Sequence, residues 1–166
     1  MESKMRVGIG YDAHPLTPGR RLALGGIDIP FNKRLGGWSD ADVLTHAIID
    51  ALLGAAALGD IGSHFPSSEP QYKDISSLTL LERTRDKLKE NGWQIVDVDA
   101  TIVAEKPKLR DFIDRMRQQV SQTLGIALSQ VSLKASTSAQ LGFIGRGEGM
   151  AAYAVAMVKG SKDEGI

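Results

Sequence analysis

The spacing of hydrophobic and polar residues changes several times along the chain, and each change marks an element. Over residues 5–14, alternating Val7, Ile9 and Tyr11 read as a strand. Over 21–30, two short apolar stretches flank Gly25-Gly26, the signature of a β-hairpin. Ser39 then stands as the cap of a long helix with apolar positions at Val43, Leu44, Ala47, Ile48, Leu52 and Leu53. A loop rich in Gly, Ser and Pro, 59–70, leads to a second helix that opens at Ser76 or Ser77 and stops near Asn91-Gly92.

Further on, Val96, Val98, Ala100, Ile102 and Ala104 alternate with Asp97, Asp99, Thr101 and Glu105, which predicts a strand with one polar face, ended by Pro107. Residues 109–124 carry Phe112, Ile113, Met116, Val120 and Leu124 on one helical stripe, with Gly125 as the stop. A strand over 131–137 and a glycine-rich loop over 141–149 follow. The last strand, 150–158, is apolar at both parities, with Ala152, Ala154 and Ala156 set against Tyr153, Val155 and Met157. A strand buried on both faces needs two covering layers. Three helices supply one of them, and another subunit is the candidate for the second. The pattern predicts an α+β domain that is oligomeric.

Composition narrows the class. The 166 residues suit one domain with a real core, and no repeat or linker-like stretch divides them. Lys+Arg and Asp+Glu are 20 each, so no bulk charge points to nucleic acid or to a membrane surface. The absence of cysteine excludes disulfides and cysteine-held zinc. No apolar run reaches the ~18 residues of a membrane span, and the first residues lack the layout of a signal peptide. A cytoplasmic enzyme or binding domain is expected, with the described pattern over 5–159 and flexible termini at 1–4 and 160–166.

Two polar patterns carry chemistry. In Asp12-Ala13-His14, residues two apart on a strand share a face, so a carboxylate and an imidazole converge. Asp42, His46 and Asp50 lie four apart on the first helix, which makes His46 the third zinc-type ligand and lets a neighbouring aspartate orient its other ring nitrogen. Each pattern also has a plain reading, as solvated polar residues at a strand end and on a helix face. His64, in a Ser-His-Phe-Pro loop, reads as a surface residue. Gly8-Ile9-Gly10 lies inside a strand and lacks a third glycine, so it is not a dinucleotide loop. The loop 142–149, with Arg146, and the hydroxyls of Ser136, Thr137 and Ser138 suit diphosphate oxygens or a tight turn equally well.

The ordered series Gly-Tyr-Asp-Ala-His (10–14), Leu-Gly-Gly (24–26), Ser-Asp-Ala-Asp-Val-Leu-Thr-His-Ala (39–47), the stretch 50–62, Phe-Pro (65–66), Lys-Pro-Lys-Leu (106–109), Lys-Ala-Ser-Thr (134–137) and Leu-Gly-Phe-Ile-Gly-Arg-Gly-Glu-Gly (141–149) resembles the methylerythritol cyclodiphosphate synthases over nearly the whole chain. The resemblance implies a mixed sheet covered by helices, of ferredoxin-like or chorismate-mutase-like kind, in a homotrimer with active sites between subunits. It implies a lyase of the non-mevalonate isoprenoid pathway. That reaction turns 4-diphosphocytidyl-2-C-methyl-D-erythritol 2-phosphate into the 2,4-cyclodiphosphate and CMP by attack of the 2-phosphate on the β-phosphorus.

By the same resemblance, Asp12, His14 and His46 hold zinc. Ala104, Lys108 and Leu109 form the cytidine pocket, and Ser136, Thr137 and Ser138 contact the diphosphate, with Thr137 steadying charge. Asp60, Ile61, Gly62 and Phe65 cradle the methylerythritol part, and Trp38 and Ser39 flank its phosphates. Phe143 and Arg146 line a central cavity that takes an isoprenoid diphosphate in some members. Three positions depart from the family pattern. Ala139 replaces a glutamate that helps bind magnesium or manganese, Trp38 stands where some members carry histidine, and Ser67 stands where aspartate is common. The alternative these departures suggest is a catalytically impaired zinc-containing trimer that binds nucleotide or isoprenoid diphosphate.

Overall fold

The computed structural model describes residues 4–161. The long first strand β1 (Met5–Pro18) runs past the expected end at His14, because its last residues pair with β4 (Lys33–Leu35) through Leu16↔Leu35. The hairpin is present as β2 (Leu22–Leu24) and β3 (Ile27–Ile29). Three longer helices follow the predicted spans: α1 (Val43–Ala55), α3 (Ser77–Glu90) and α4 (Ile113–Leu124). The loop after α1 contains the single-turn α2 (Ile61–His64), so His64 is half-buried, with its Nε2 2.7 Å from the Leu58 carbonyl, rather than a free surface residue. Strands β5 (Trp93–Val103), β6 (Val131–Ser136) and β7 (Gly149–Gly160) complete the set, with the short α5 (Gly142–Gly145) before β7.

One mixed sheet of order β4-β1-β7-β5-β6 carries the domain, antiparallel except for the β5–β6 pair. Helix α1 lies on β1 and β7, α4 on β6, and α3 packs against both helices. This is the α+β architecture expected, a mixed sheet covered by helices. In β5 a register shift between Ile95 and Asp97 puts Ile95 into the core and leaves Val96 half-buried, out of the expected alternation. Of the termini expected to be flexible, 1–3 and 162–166 lie outside the described residues. Gly160 belongs to β7 instead, since it pairs with Trp93 and its N–H meets the Lys4 carbonyl at 2.9 Å.

The large apolar residues of β1 face away from the helices. Val7, Ile9 and Tyr11 are 64%, 72% and 48% exposed, and Tyr153 and Val155 of β7 continue the same bare face. The helix-facing positions are Gly8 and Gly10 in β1 and Ala152, Ala154 and Ala156 in β7, and these alanines are buried. A Cβ at Gly8 would lie 2.2 Å from the Ala51 carbonyl oxygen, and one at Gly10 would lie 1.9 Å from that of Ala47. Only glycine lets the α1 backbone come so near.

The N-terminus of α1 is also placed differently from the sequence expectation. Asp42, not Ser39, is the cap, accepting from Thr45 N at 3.0 Å and Thr45 Oγ1 at 2.8 Å. The fully buried carboxylate also accepts from Gly25 N at 3.0 Å and Gly26 N at 2.8 Å, which ties the hairpin to the helix. Burial and the charge of Asp40 push its carboxyl up, while these donors pull it down.

Gly10→Ala is therefore expected to destabilise the protein by about 3 kcal/mol or more, from overpacking against backbone. Gly54→Ala, in α1, would place its Cβ at an ordinary 3.8 Å from the nearest atom, the Ile9 carbonyl oxygen, and should gain roughly 0.5–1 kcal/mol of helix propensity. Urea unfolding of both variants checks this; equal effects would show that the helix–strand approach is not the constraint.

Candidate metal centre and adjoining clefts

Asp12 and His14 continue the glycine face of β1 towards the N-terminal end of α1. Two strand residues advance about 6.6 Å and four helix residues about 6 Å, so the two elements stay nearly in step. Gly8 abuts Ala51 and Ala55, and Gly10 abuts Ala47 and Ala51. The next step brings Asp12 to the turn that carries His46. Asp12 Oδ2 lies 2.7 Å from His14 Nε2 and 3.1 Å from His46 Nδ1, and the two ring nitrogens are 3.4 Å apart. Among the described residues this is a group of three side chains whose ligand atoms fall within 4.8 Å of one another.

The protonation of the outer ring nitrogens decides what this cluster can hold. His14 Nδ1 is 3.0 Å from the Gly36 carbonyl, which can only accept, so Nδ1 carries the proton and Nε2 presents a lone pair. That lone pair faces a carboxylate oxygen. Acceptors at such distances need a cation between them, either a proton or a metal ion. Two imidazole nitrogens and one carboxylate, all on the floor of a cleft, fit a divalent cation with one coordination position left open. His46 Nε2 lies 2.8 Å from Ser77 Oγ and 3.1 Å from Ser39 Oγ. Neither Asp42 nor Asp50 orients that ring as the sequence suggested. Asp42 is spent on the helix cap, and Asp50 Oδ1 accepts from Ile61 N at 2.7 Å.

The cleft of about 240 Å³ above the cluster is lined by Trp38, Ser39, Ile61, Gly62 and Phe65, as well as Ser67, Tyr72 and Leu80. The Trp38 indole N–H donates to the Glu69 carbonyl at 3.0 Å, which fastens the segment after α2 across the cleft. Asp60 does not line it; the exposed carboxylate caps α2 through Ser63 N at 2.8 Å and Ser63 Oγ at 2.7 Å. A second cleft of about 670 Å³ brings together Ala104, Lys108, Leu109, Ser136 and Thr137 at the ends of β5 and β6. Ser138 is not among its lining residues; its N–H and Oγ are 2.9 and 3.2 Å from Glu105 Oε1. The two clefts share no lining residue.

Phe143 and Arg146 belong to neither cleft. Arg146 pairs with Glu148 at 2.8 Å, which holds the guanidinium pKa up and the carboxyl pKa down. Ala139 sits in a left-handed turn with φ 54° and offers no ligand atom beyond its backbone. Ser77, Asp40 and the Gly36 carbonyl were not foreseen as parts of the site. A serine opening a helix reads as a cap, and a backbone carbonyl leaves no trace in a side-chain pattern.

Burial pushes the Asp12 carboxyl up, but hydrogen bonds and positive charge from His14 and His46 more than offset it and hold the group at about 2 against an ordinary 3.8. Burial lowers His14, while the hydrogen bond and charge of Asp12 raise it above its ordinary 6.5. In metal-free protein the Asp12 contribution to stability is complete above 3.8 and fades as pH falls towards 2. That of His14 is complete below 6.5 and fades as pH rises through the raised value. Chelator-treated protein should gain most from this cluster between those limits, and Asp12→Asn should remove the gain. Parallel melting curves across pH, offset by a constant, would refute the ion pair.

A family model for the YgbB family matches residues 5–159 of the chain. The chain is 61% identical over 154 residues to the 2-C-methyl-D-erythritol 2,4-cyclodiphosphate synthase of Dehalococcoides mccartyi, covering 93% of this chain and 98% of that one. Its fold is similar to the bifunctional IspDF of Campylobacter jejuni, with TM-score 0.92 and 38% identity over 96% of this chain and 43% of that one. It is also similar to IspF of Plasmodium falciparum in complex with CDP, with TM-score 0.84 and 29% identity over 98% of this chain and all of the other.

Proposed function

The chain belongs to the YgbB family, and from that premise we propose that it converts 4-diphosphocytidyl-2-C-methyl-D-erythritol 2-phosphate to the 2,4-cyclodiphosphate and CMP in isoprenoid biosynthesis. The observation that carries this reading is the convergence of Asp12, His14 and His46 on the floor of the Ser39–Ile61–Gly62 cleft, in a chain so similar to synthases of that name. An oxygen of the 2-phosphate forms a bond to the β-phosphorus. The bond from that phosphorus to the bridging oxygen breaks, and CMP leaves with the electron pair. No water enters, so the reaction class is a phosphorus–oxygen lyase.

Asp12, His14 and His46 are the residues that would hold the metal. The donor set fits zinc, which supplies Lewis-acid polarisation of phosphate when bound. Ser39 and Trp38 flank the phosphates, while Ile61, Gly62 and Phe65 enclose the methylerythritol end and exclude water from it. Asp60 supports this wall by capping α2. The cytidine end takes the larger cleft at Ala104, Lys108 and Leu109, with Ser136 and Thr137 beside the diphosphate and Thr137 facing the transferring group, while Ser138, bonded to Glu105, anchors the segment that follows them. Their role is to hold the attacking oxygen and the leaving group in line. Magnesium or manganese at the diphosphate would neutralise phosphate charge there and would have no carboxylate from position 139 to hold it.

A substrate with two ends needs both clefts, which share no lining residue within one chain. The bare face of Val7, Ile9, Tyr11, Tyr153 and Val155 supports a homotrimer in which a neighbour's cleft completes the site. Phe143 and Arg146 then lie towards a central cavity suited to an isoprenoid diphosphate. No helix among the described residues is long and apolar enough to cross a membrane, and a cytoplasmic place of action follows from the proposed pathway. The domain is the matched span 5–159.

Phosphorus NMR of zinc-loaded protein with the diphosphocytidyl substrate should show CMP and the cyclic diphosphate growing together. Unchanged substrate, with metal bound, would favour the impaired binding protein instead. His46→Ala should lose bound zinc and at least about a hundredfold in turnover, consistent with removing a first-order electrostatic contribution. Restoring a carboxylate with Ala139→Glu should raise the magnesium-dependent rate; an unchanged rate would mean that phosphate and water ligands suffice.

A further inference from the structure

We propose that Asp40 and Ser77 are a positioning pair that fixes the ring tautomer of His46, so that Nδ1 is the nitrogen free to bind metal. The inference rests on the metal reading above but is carried by separate hydrogen bonds. Ser77 opens α3 and is fully buried. Its hydroxyl has one proton and two neighbours, the Asp40 carboxylate, at short hydrogen-bond distance, and His46 Nε2 at 2.8 Å. Asp40 is surrounded by donors. It accepts from Ser77 N at 2.9 Å and Asp42 N at 3.1 Å as well as from the Ser77 hydroxyl.

The Ser77 proton is therefore committed to Asp40, and Ser77 Oγ can meet His46 only as an acceptor. Nε2 must then carry the ring proton, and the Nδ1 lone pair is turned onto the Asp12 and His14 side. Ser39 Oγ, at 3.1 Å from Nε2, has a second lone pair for the same N–H beside the one that accepts from Ala41 N at 3.2 Å. His14 is fixed in the same sense by the Gly36 carbonyl. The outer nitrogens of both rings are thus held by acceptors, one on the main chain and one a serine backed by a carboxylate. Such outer partners orient a ligand and raise its basicity.

A bland role, capping α3, does not account for the Ser77 hydroxyl. The Asp40 carboxylate already satisfies the Ser77 N–H, and the cap residue Ser76 makes no side-chain cap bond. The hydroxyl is left to join Asp40 to His46. The arrangement gives the first aspartate of Ser39-Asp40-Ala41-Asp42 a task distinct from the second, which caps α1.

The test uses the full chain with zinc as the probe. Zinc affinity is measured by chelator competition for wild type, Ser77→Ala and Asp40→Asn, and the ring tautomers are read from long-range proton–nitrogen NMR correlations. The wild-type His46 ring should show the Nε2–H form, and Ser77→Ala should bind zinc about 10- to 100-fold more weakly. In Asp40→Asn the amide NH₂ can donate to Ser77, which frees the serine proton to face Nε2, so the Nδ1–H form should appear and affinity should fall. Wild-type affinity in Ser77→Ala, or an Nδ1–H ring in wild type, overturns the proposal. The wild-type spectrum decides the matter even if a variant fails to fold. A wild type that takes up no zinc yet shows the Nε2–H ring would sink the metal reading and leave the pair standing.

Discussion

The close approach of α1 to β1 is the constraint on which the rest of the structure depends. Gly8 and Gly10 remove the side chains that would otherwise separate helix from sheet by the usual layer spacing, so backbone touches backbone. Because the helix and strand repeats nearly match over this stretch, fixing the contact at two glycines also fixes what lies one step further along. That next step is Asp12 with the His46 turn. The Asp12–His14–His46 cluster is thus a continuation of the packing, with polar side chains where glycines stood. A change at Gly8 or Gly10 would act on the cluster although neither residue touches it.

A second group of contacts holds the free end of the helix. Asp42 binds both glycine amides of the hairpin while capping α1, and Asp40 binds the start of α3. Two aspartates separated by one residue therefore join three segments around the histidine. The buried Asp42 carboxylate costs desolvation, which its donors offset, and the half-buried Asp40 carboxylate is ringed by donors in the same way. The polar groups nearest the cluster are satisfied by one another, and the ligand atoms alone are left facing a common point.

Much of this was legible in the sequence. The alternation in β5, the stripe of α4 and the Gly25-Gly26 turn each gave the element that formed, and Asp12-Ala13-His14 with His46 gave the cluster. Periodicity states which residues share a face but not which face the chain covers by itself. In β1 the large residues Val7, Ile9 and Tyr11 lie on the bare side, and the buried side is made of glycine, which a hydrophobic pattern scores as nothing. Gly8-Ile9-Gly10 lacks the pattern of a dinucleotide loop, and its packing role depends on a helix more than thirty residues away. The choice between Ser39 and Asp42 as cap turned on the hairpin amides, a tertiary partner. Ser77 was invisible as a site residue for a similar reason, since its relation to His46 exists only after α3 docks on α1.

The Trp38 indole, pinned to the Glu69 carbonyl at the mouth of the cleft, has an optical consequence. The chain holds two tryptophans, and the other, Trp93, lies at the start of β5 beneath the Arg6 guanidinium. Indole emission shifts with the water and charge around it, and only one of the two emitters borders the space that a ligand would fill. Trp38 is a built-in fluorophore at the edge of that space, so the filling and emptying of the cleft are open to observation by light alone, without a label.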